Sequence, residues 1–141
     1  MFNQILIPID LAHQEQLPRL MEAARPLIDG AGSITLLYVD PILVHQASSP
    51  QIEGSYSADH AKQARAQLQR LSESVQVDGV APNVATRDGV VHDQVLEYAS
   101  EISADAILMM AQRPGFSSCF ISSTAERVVR HADCSVFVIR P

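Results

Sequence analysis

A single carboxylate stands at the end of the first apolar stretch of this chain. Residues 5–9 form a short run of Ile, Leu and Pro that closes at Asp10. Carboxylate oxygen is the ligand that hard cations prefer, so Asp10 could bind a Mg²⁺ ion that accompanies phosphate groups. A second interpretation stays open, because an aspartate in this position also caps the turn that follows a strand.

Three hydroxyl residues, Ser122, Ser123 and Thr124, precede a helical pattern near the other end of the chain. Free backbone N–H groups and the helix dipole make such a helix start an anion-binding site, for which phosphate is a natural occupant. The same residue types are also the usual N-caps, so the triplet alone does not decide between a cap and a site. Arg113, in the preceding loop, could pair with a phosphate oxygen or remain solvated.

Residue types and spacing disfavour several other chemistries. The two cysteines, Cys119 and Cys134, form neither a disulfide framework nor a CxxC motif. The GxSxG, HExxH and P-loop motifs do not occur. A net charge of −6 with a single lysine, Lys62, argues against a surface that binds nucleic acid. The histidines lack the spacing of metal ligands; they are His13, His45, His60, His92 and His131.

The size and composition predict one domain over residues 1–141. A chain of 141 residues that is 47% hydrophobic can bury one core. Its longest apolar runs, such as 106–111, fall far short of the about 20 residues that a membrane-spanning helix needs. The first residues carry no signal-peptide pattern, so a cytoplasmic location is the default expectation.

Apolar periodicity indicates the elements that must position the candidate residues. Runs rich in apolar and β-branched residues predict strands at 5–9, 33–39, 80–86, 106–111 and 135–139. Three-to-four spacing predicts helices at 17–28, 58–75, 91–103 and 122–130. We expect Pro26 to kink the first helix and Gly30 and Gly32 to follow its end. Residues 41–57 and 112–121 are predicted loops.

Strands that alternate with helices require an α/β fold, in which a mostly parallel, doubly wound sheet is covered on both faces. Ligands of such sheets bind beyond the carboxyl ends of the strands, where the winding direction reverses. The candidate site therefore lies after the first, second and fourth strands. It comprises Pro8, Ile9 and Asp10, then Val39 and Asp40, then Met110 to Arg113 with Gln112 among them.

The same residues carry a resemblance to the universal stress protein family. Ile5-Leu6-Ile7-Pro8-Ile9-Asp10 is similar to the opening strand of that family, and residues 34–40 are similar to its second strand. Residues 122–140 are similar to its last helix and strand almost end to end. The resemblance spans the whole chain and implies a five-stranded, adenine nucleotide alpha hydrolase-like fold.

Family members that bind ATP carry a glycine, two residues, a second glycine, nine residues, then a glycine followed by serine or threonine. In this chain Met110 and Arg113 fall where the first two glycines would be, the spacing is one residue short, and Ser122 replaces the third glycine ahead of Ser123. Arg113-Pro114 followed by a Ser-Ser pair resembles a subgroup that keeps nucleotide binding with a degenerate loop. Two segments, Met1-Phe2-Asn3 and Asp10-Leu11-Ala12-His13, resemble the member of that subgroup that partners a solute transporter.

The resemblance implies a role for each candidate residue. Pro8, Ile9 and Asp10 would line the adenosine and metal side, and Val39 would offer backbone contacts to adenine. The phosphates would be flanked by Met110, Gln112 and Arg113, and anchored by Ser122, Ser123 and Thr124. Arginine in place of glycine could compensate electrostatically for a lost backbone contact.

Two functions follow as expectations. The first is a regulator in the stress response that binds ATP, ADP or AMP, with Mg²⁺ held through the nucleotide, and acts on a partner such as a transporter. It would be at most a slow ATPase, because no residue is visibly placed to activate water. The second is a nucleotide-free homodimeric adaptor, paired along the strand Ser135–Ile139 through Val136, Phe137 and Val138. A pyrophosphatase-class enzyme would need a Ser-Gly-Gly run where this chain has Leu11-Ala12-His13.

Overall fold

The computed structural model describes residues 1–41, 54–111 and 122–141. Strands and helices alternate along these segments. In chain order they are β1 (Phe2–Pro8), a 3-10 segment (Leu11–Gln16), α1 (Leu17–Ala24), β2 (Ile28–Asp40), α2 (Gly54–Ser74), β3 (Asn83–Asp88), α3 (Val91–Glu101), β4 (Ala106–Met110), α4 (Ser123–His131) and β5 (Ser135–Ile139). In the described segments, no helix is both long and apolar enough to cross a membrane.

The five strands form one sheet in the order β3-β2-β1-β4-β5. Every neighbouring pair is parallel, so each connection crosses over the sheet rather than turning back as a hairpin. From β1 the chain winds outward to β2 and β3, then returns to the centre and winds the other way to β4 and β5. The predicted doubly wound α/β fold is confirmed, and the winding reverses between β1 and β4.

Alternating side chains on the strands build a core on each face of the sheet. On β1, Ile5 and Ile7 pack with α1 and α2, whereas Leu6 packs on the other face with α3 and α4. All three side chains are fully buried. Such continuous apolar strands are typical of parallel sheets covered on both sides.

The predicted helix 17–28 was wrong at its end, because α1 stops at Ala24. Pro26 follows, where its missing N–H and fixed φ terminate the helix instead of kinking it. Ile28 already pairs with Phe2 as the first residue of β2. The apolar stripe that predicted a longer helix therefore contains the beginning of a strand.

Gly30 and Gly32 were predicted to follow a helix, but both lie in an irregular part of β2. Phe2 pairs with Ile28 and Gln4 with Ser33, so residues 29–32 stand opposite Asn3 alone. A Cβ atom on Gly32 would lie 3.0 Å from the Asn3 carbonyl oxygen and 2.8 Å from Ile28 Cδ1. The bulge thus needs a residue without a side chain at position 32.

Other boundaries differ for local reasons. Residues 54–57, predicted as loop, belong to α2, which begins at Gly54. β3 begins at Asn83 rather than at position 80, because Val77 and Val80 close a tight turn in which Asp78 and Gly79 have positive φ. The predicted ends of α3, β4 and α4 nearly coincide with the observed ones, and β5 matches. The rest of the two predicted loops, residues 42–53 and 112–121, lies outside the described residues.

Candidate functional site

A cavity of about 270 Å³ opens at the carboxyl ends of β1, β2 and β4. The ladder between β1 and β4 is short, with only Ile5 and Leu6 of β1 in register with β4. Pro8 lies beyond it and has no N–H to donate, so the two strands separate there. The cavity is lined by Pro8, Ile9, Asp10, His13, Gln16, Leu37, Tyr38, Val39, Pro41, Val91, Met109, Met110, Ser122 and Thr124. This is the crevice at the reversal of winding, where ligands of open parallel sheets bind.

The structure brings most of the candidate residues together at this cavity. Pro8, Ile9, Asp10, Val39 and Met110 line it from the strand ends, and Ser122 and Thr124 line it at the N-terminal end of α4. Ser123 begins α4 but is exposed and outside the lining. Gln112 and Arg113 lie outside the described residues, so their predicted contacts with phosphate remain predictions.

Asp10 is the N-cap of the 3-10 segment. Its Oδ1 accepts a hydrogen bond of 2.9 Å from the backbone N–H of Ala12. Its Oδ2 lies 3.9 Å from His13 Nε2, and about half of the side chain is exposed. The capping role is therefore present, and Asp10 is also one of the residues that line the cavity. Within residues 1–41, 54–111 and 122–141, no group of three or more His, Cys, Asp or Glu side chains could hold a metal ion. Asp10 would thus need further ligands from a bound molecule to hold Mg²⁺.

Val39 presents unpaired backbone groups to the cavity. The N–H of Ile9 donates to the Leu37 carbonyl oxygen, so Leu37 and Val39 direct their backbone groups toward β1. Because β1 ends at Pro8, neither the N–H nor the C=O of Val39 has a partner among the described residues. Val39 is only 6% exposed. Buried backbone groups are nearly always hydrogen-bonded, so this pair is well suited to a ligand with one acceptor and one donor.

The start of α4 offers donors on the opposite side. Ser122 caps the helix, since its Oγ accepts from the N–H of Ala125 at 3.2 Å and its carbonyl oxygen accepts from Glu126 at 2.9 Å. The N–H groups of Ser123 and Thr124 have no partner in the described part of the chain. The two interpretations of the triplet are thus compatible, because Ser122 caps the helix and leaves two donors for an anion.

Sequence reasoning missed several lining residues, of which His13, Gln16 and Tyr38 carry polar side chains. Burial, and next the carboxylates of Asp40, Asp10 and Asp88, raise the pKa of the Tyr38 phenol. The phenol therefore stays protonated at neutral pH and can donate a hydrogen bond. Tyr38 directly precedes Val39, and this proximity to a strand end is the signal that could have found it. No sequence pattern marked Gln16, because the 3-10 segment was not predicted.

Comparison with known proteins places the chain among relatives of the same length. The model of the universal stress protein family matches residues 1–140. Universal stress protein G of Escherichia coli O157:H7 is 28% identical over 144 residues, covering 99% of this chain and 100% of the relative. The structure of universal stress protein UspA from Lactobacillus plantarum is 27% identical, covers 98% of this chain and 97% of that one, and has a TM-score of 0.64.

More distant structures share the fold. Hypothetical protein MJ0577 is 17% identical, covers 100% of this chain and 97% of that one, and has a TM-score of 0.82. A universal stress protein in complex with cAMP is 16% identical, with coverage of 98% and 97% and a TM-score of 0.68. One from Archaeoglobus fulgidus in complex with dAMP is 15% identical, with coverage of 97% and 97% and a TM-score of 0.51. With its family match over nearly every residue, this chain belongs to the universal stress protein family.

Proposed function

We propose that this protein binds an adenine nucleotide in the strand-end cavity and acts as a regulatory protein in the stress response. The observation that carries the proposal is Val39, a buried residue of the cavity lining whose backbone N–H and C=O have no partner in the described residues. An adenine base has both a donor and an acceptor at its edge and can satisfy such a pair. The cAMP and dAMP complexes of structural neighbours support the choice of ligand.

The proposed site uses both sides of the cavity. Val39 would contact the base, and Asp10, with Pro8 and Ile9, would lie beside the sugar and any Mg²⁺ that the phosphates carry. The phosphates would approach Met110 and the unpaired N–H groups at the start of α4, where the helix dipole favours negative charge. Gln112 and Arg113 complete the proposed phosphate side, together with Ser122, Ser123 and Thr124. ATP, ADP and AMP all remain candidates.

The proposed role is regulation, not catalysis. Hydrolysis of a nucleotide needs a group that activates water within hydrogen-bond reach of the phosphate. Asp10 is committed to the Ala12 N–H through one oxygen, so we expect at most slow ATP turnover. In this proposal the chain acts as one domain in the cytoplasm, and the occupied cavity alters binding to a protein partner such as a transporter.

Calorimetry with ATP, ADP and AMP, each with and without Mg²⁺, tests the nucleotide proposal. We expect saturable binding, and acid extraction of the freshly purified protein should release an adenine nucleotide. Asp10→Asn should weaken binding, whereas Asp93→Asn, on the exposed side of α3, should not. If no nucleotide binds the wild-type protein at millimolar concentration, the proposal is wrong.

A second candidate function, a nucleotide-free homodimeric adaptor, is favoured by the exposed edge of β5. The Ile139 carbonyl oxygen accepts from the Ala111 N–H, so Ser135, Phe137 and Ile139 direct their backbone groups toward β4. Val136 and Val138 therefore direct theirs away from the sheet. Pairing of this edge with a second copy, antiparallel about a twofold axis at Phe137, would join the two valines in reciprocal hydrogen bonds.

Sedimentation equilibrium, with and without nucleotide, separates the two functions. A dimer that binds no nucleotide would favour the adaptor, and a monomer at micromolar concentration would exclude pairing along β5. A dimer that binds nucleotide would mean that the protein both binds nucleotide in the cavity and forms a homodimer.

A further inference from the structure

Tyr38 brings an aromatic ring to the cavity. It lies on β2 next to Val39, and its side chain packs against the core between the sheet and the helices α1 and α2. Tyr38 is half-buried and is one of the residues that line the cavity. The phenol hydroxyl has no hydrogen-bond partner among the described residues. A flat apolar surface and a polar tip are thus both available to a ligand.

Gln16 brings an amide to the same cavity from the 3-10 segment. Its side chain makes no hydrogen bond within the described part of the chain. The neighbouring Gln14 is different, because its Nε2 donates to the Leu11 carbonyl oxygen at 3.1 Å. The two glutamines of this short segment therefore differ: the Gln14 amide is engaged in a hydrogen bond within the segment, and the Gln16 amide is available to a ligand.

Tyr38 and Gln16 complement the unpaired backbone groups of Val39. Together they offer a ring face, a hydroxyl donor, an amide donor with an amide acceptor, and a backbone donor with a backbone acceptor. These groups are neutral. The start of α4, on the other side of the cavity, differs because the helix dipole gives it a partial positive charge. Their chemistry fits a flat heterocycle with donors and acceptors along its edge.

We propose that Tyr38 and Gln16 recognise the base of the bound nucleotide and select adenine over guanine. The inference rests on the proposed nucleotide site and assigns its base-specific part. The Tyr38 ring packs on the base, and the Gln16 amide pairs with the adenine amino group and a ring nitrogen. A glutamine amide forms this bidentate pair with adenine, whereas guanine presents two acceptors on the same edge and satisfies only the amide donor. The protonated phenol supplies one further donor.

The test measures dissociation constants of adenosine, AMP, GMP and ribose 5-phosphate by calorimetry. Tyr38→Leu should weaken adenosine and AMP alike by about tenfold, because stacking on an aromatic ring acts on the base and not on the phosphate. Tyr38→Phe should keep most of the affinity, and ribose 5-phosphate should bind all variants equally. Gln16→Leu removes two hydrogen bonds to AMP and one to GMP, so it should weaken AMP more than GMP, and the ratio of their affinities should narrow by about tenfold.

Two matched controls exclude a merely structural effect. Gln14→Leu changes the neighbouring glutamine, and Tyr98→Phe changes a tyrosine of α3 outside the cavity lining; both should bind AMP like the wild type. The chain has three tyrosines and no tryptophan, so its fluorescence reports on the tyrosines. AMP should quench this emission in the wild type, and the quenching should be lost in Tyr38→Phe although AMP still binds.

The outcomes distinguish the inference from the function on which it rests. AMP binding that Tyr38→Leu and Gln16→Leu leave unchanged would overturn the inference and leave the nucleotide proposal intact. If the ratio of the AMP and GMP dissociation constants is the same in Gln16→Leu as in the wild type, Gln16 does not select the base. Absence of AMP binding in the wild-type protein would overturn the proposed function together with the inference.

Discussion

The two outer strands of the sheet, β3 and β5, expose opposite kinds of edge. On β3, Arg87 lies 4.8 Å from the centre of the Tyr98 ring and its Nη2 lies 2.8 Å from Glu101 Oε2. The neighbouring residues Asn83, Thr86 and Asp88 are polar. On β5, by contrast, every residue after Ser135 is apolar and partly exposed.

This difference indicates which edge of the sheet is available for pairing with a strand of another molecule. An outer strand presents unpaired N–H and C=O groups, and proteins protect such edges with charged and polar side chains. β3 has this protection, because Arg87 carries a charge that a ring and a carboxylate of α3 hold in place, and its neighbours on the strand are polar. β5 lacks it, so of the two outer strands among the described residues it is the one to which an apolar strand from another molecule can add without burying a charge.

The largest effect is expected from Val138→Pro on β5. The N–H of Val138 points away from the sheet, so proline leaves the β4 ladder intact but removes a donor at the proposed dimer contact. The twofold axis repeats the loss, and two missing hydrogen bonds should raise the dimer dissociation constant about a hundredfold. Sedimentation equilibrium measures this change.

The matched control is Thr86→Pro on β3. By the register with β2, the N–H of Thr86 also points away from the sheet. This variant should therefore leave the dimer dissociation constant unchanged. If Val138→Pro and Thr86→Pro raise the dimer dissociation constant equally, the dimer contact is not specific to β5. The difference between the two edges would then not determine how the protein dimerises.

A smaller effect is expected from Arg87→Val, which makes the β3 edge resemble β5. Arg87 and Glu101 are both well exposed, so solvent weakens their ion pair, and the contact with Tyr98 adds a modest amount. We expect a loss of about 1 kcal/mol in the free energy of unfolding, measured by urea denaturation. Arg87→Lys, which keeps the charge, should recover part of it. A variant as stable as the wild type would show that the contacts of Arg87 contribute nothing.

Elements with several agreeing local signals could be predicted from the sequence. α4 has a serine N-cap, an acidic residue in its first turn and basic residues in its last, and β5 is a short apolar run. α1 could not be bounded correctly, because Leu27 and Ile28 continue its apolar spacing although they belong to the turn and to β2. The 3-10 segment has no period of its own and depends on the Asp10 cap.

The candidate site was predictable as far as parallel strands determine it. Pro8, Ile9, Asp10, Val39 and Met110 were found because strand ends in a parallel sheet share one edge. Tyr38 was missed because a strand pattern does not show how far a side chain reaches past the strand end. The unpaired groups of Val39 depend on β2 continuing three residues beyond Leu37, the partner of the last residue of β1, and only the register reveals this.

The smallest effect concerns Cys134, which directly precedes β5 and whose thiol is free. Burial, together with Asp105 and Asp133, raises the pKa of this thiol. The thiolate is the reactive form, so alkylation by iodoacetamide should be slower than for an unhindered cysteine at pH 8 and should speed up as the pH rises further. The folded state favours the protonated thiol, so the associated stability is present below the pKa of the unfolded thiol. It is lost as the pH rises through the folded value.

The experiment uses Cys119→Ser, in which Cys134 is the remaining cysteine. The same variant unfolded in urea gives the rate of the unhindered thiol. If two copies pair along β5, Cys134 lies at the end of the paired strands, and its alkylation should be faster in the Val138→Pro monomer than in the dimer. Equal rates in monomer and dimer would mean that the assembly leaves this end of β5 open, and the proposed axis at Phe137 would then have to move along the strand.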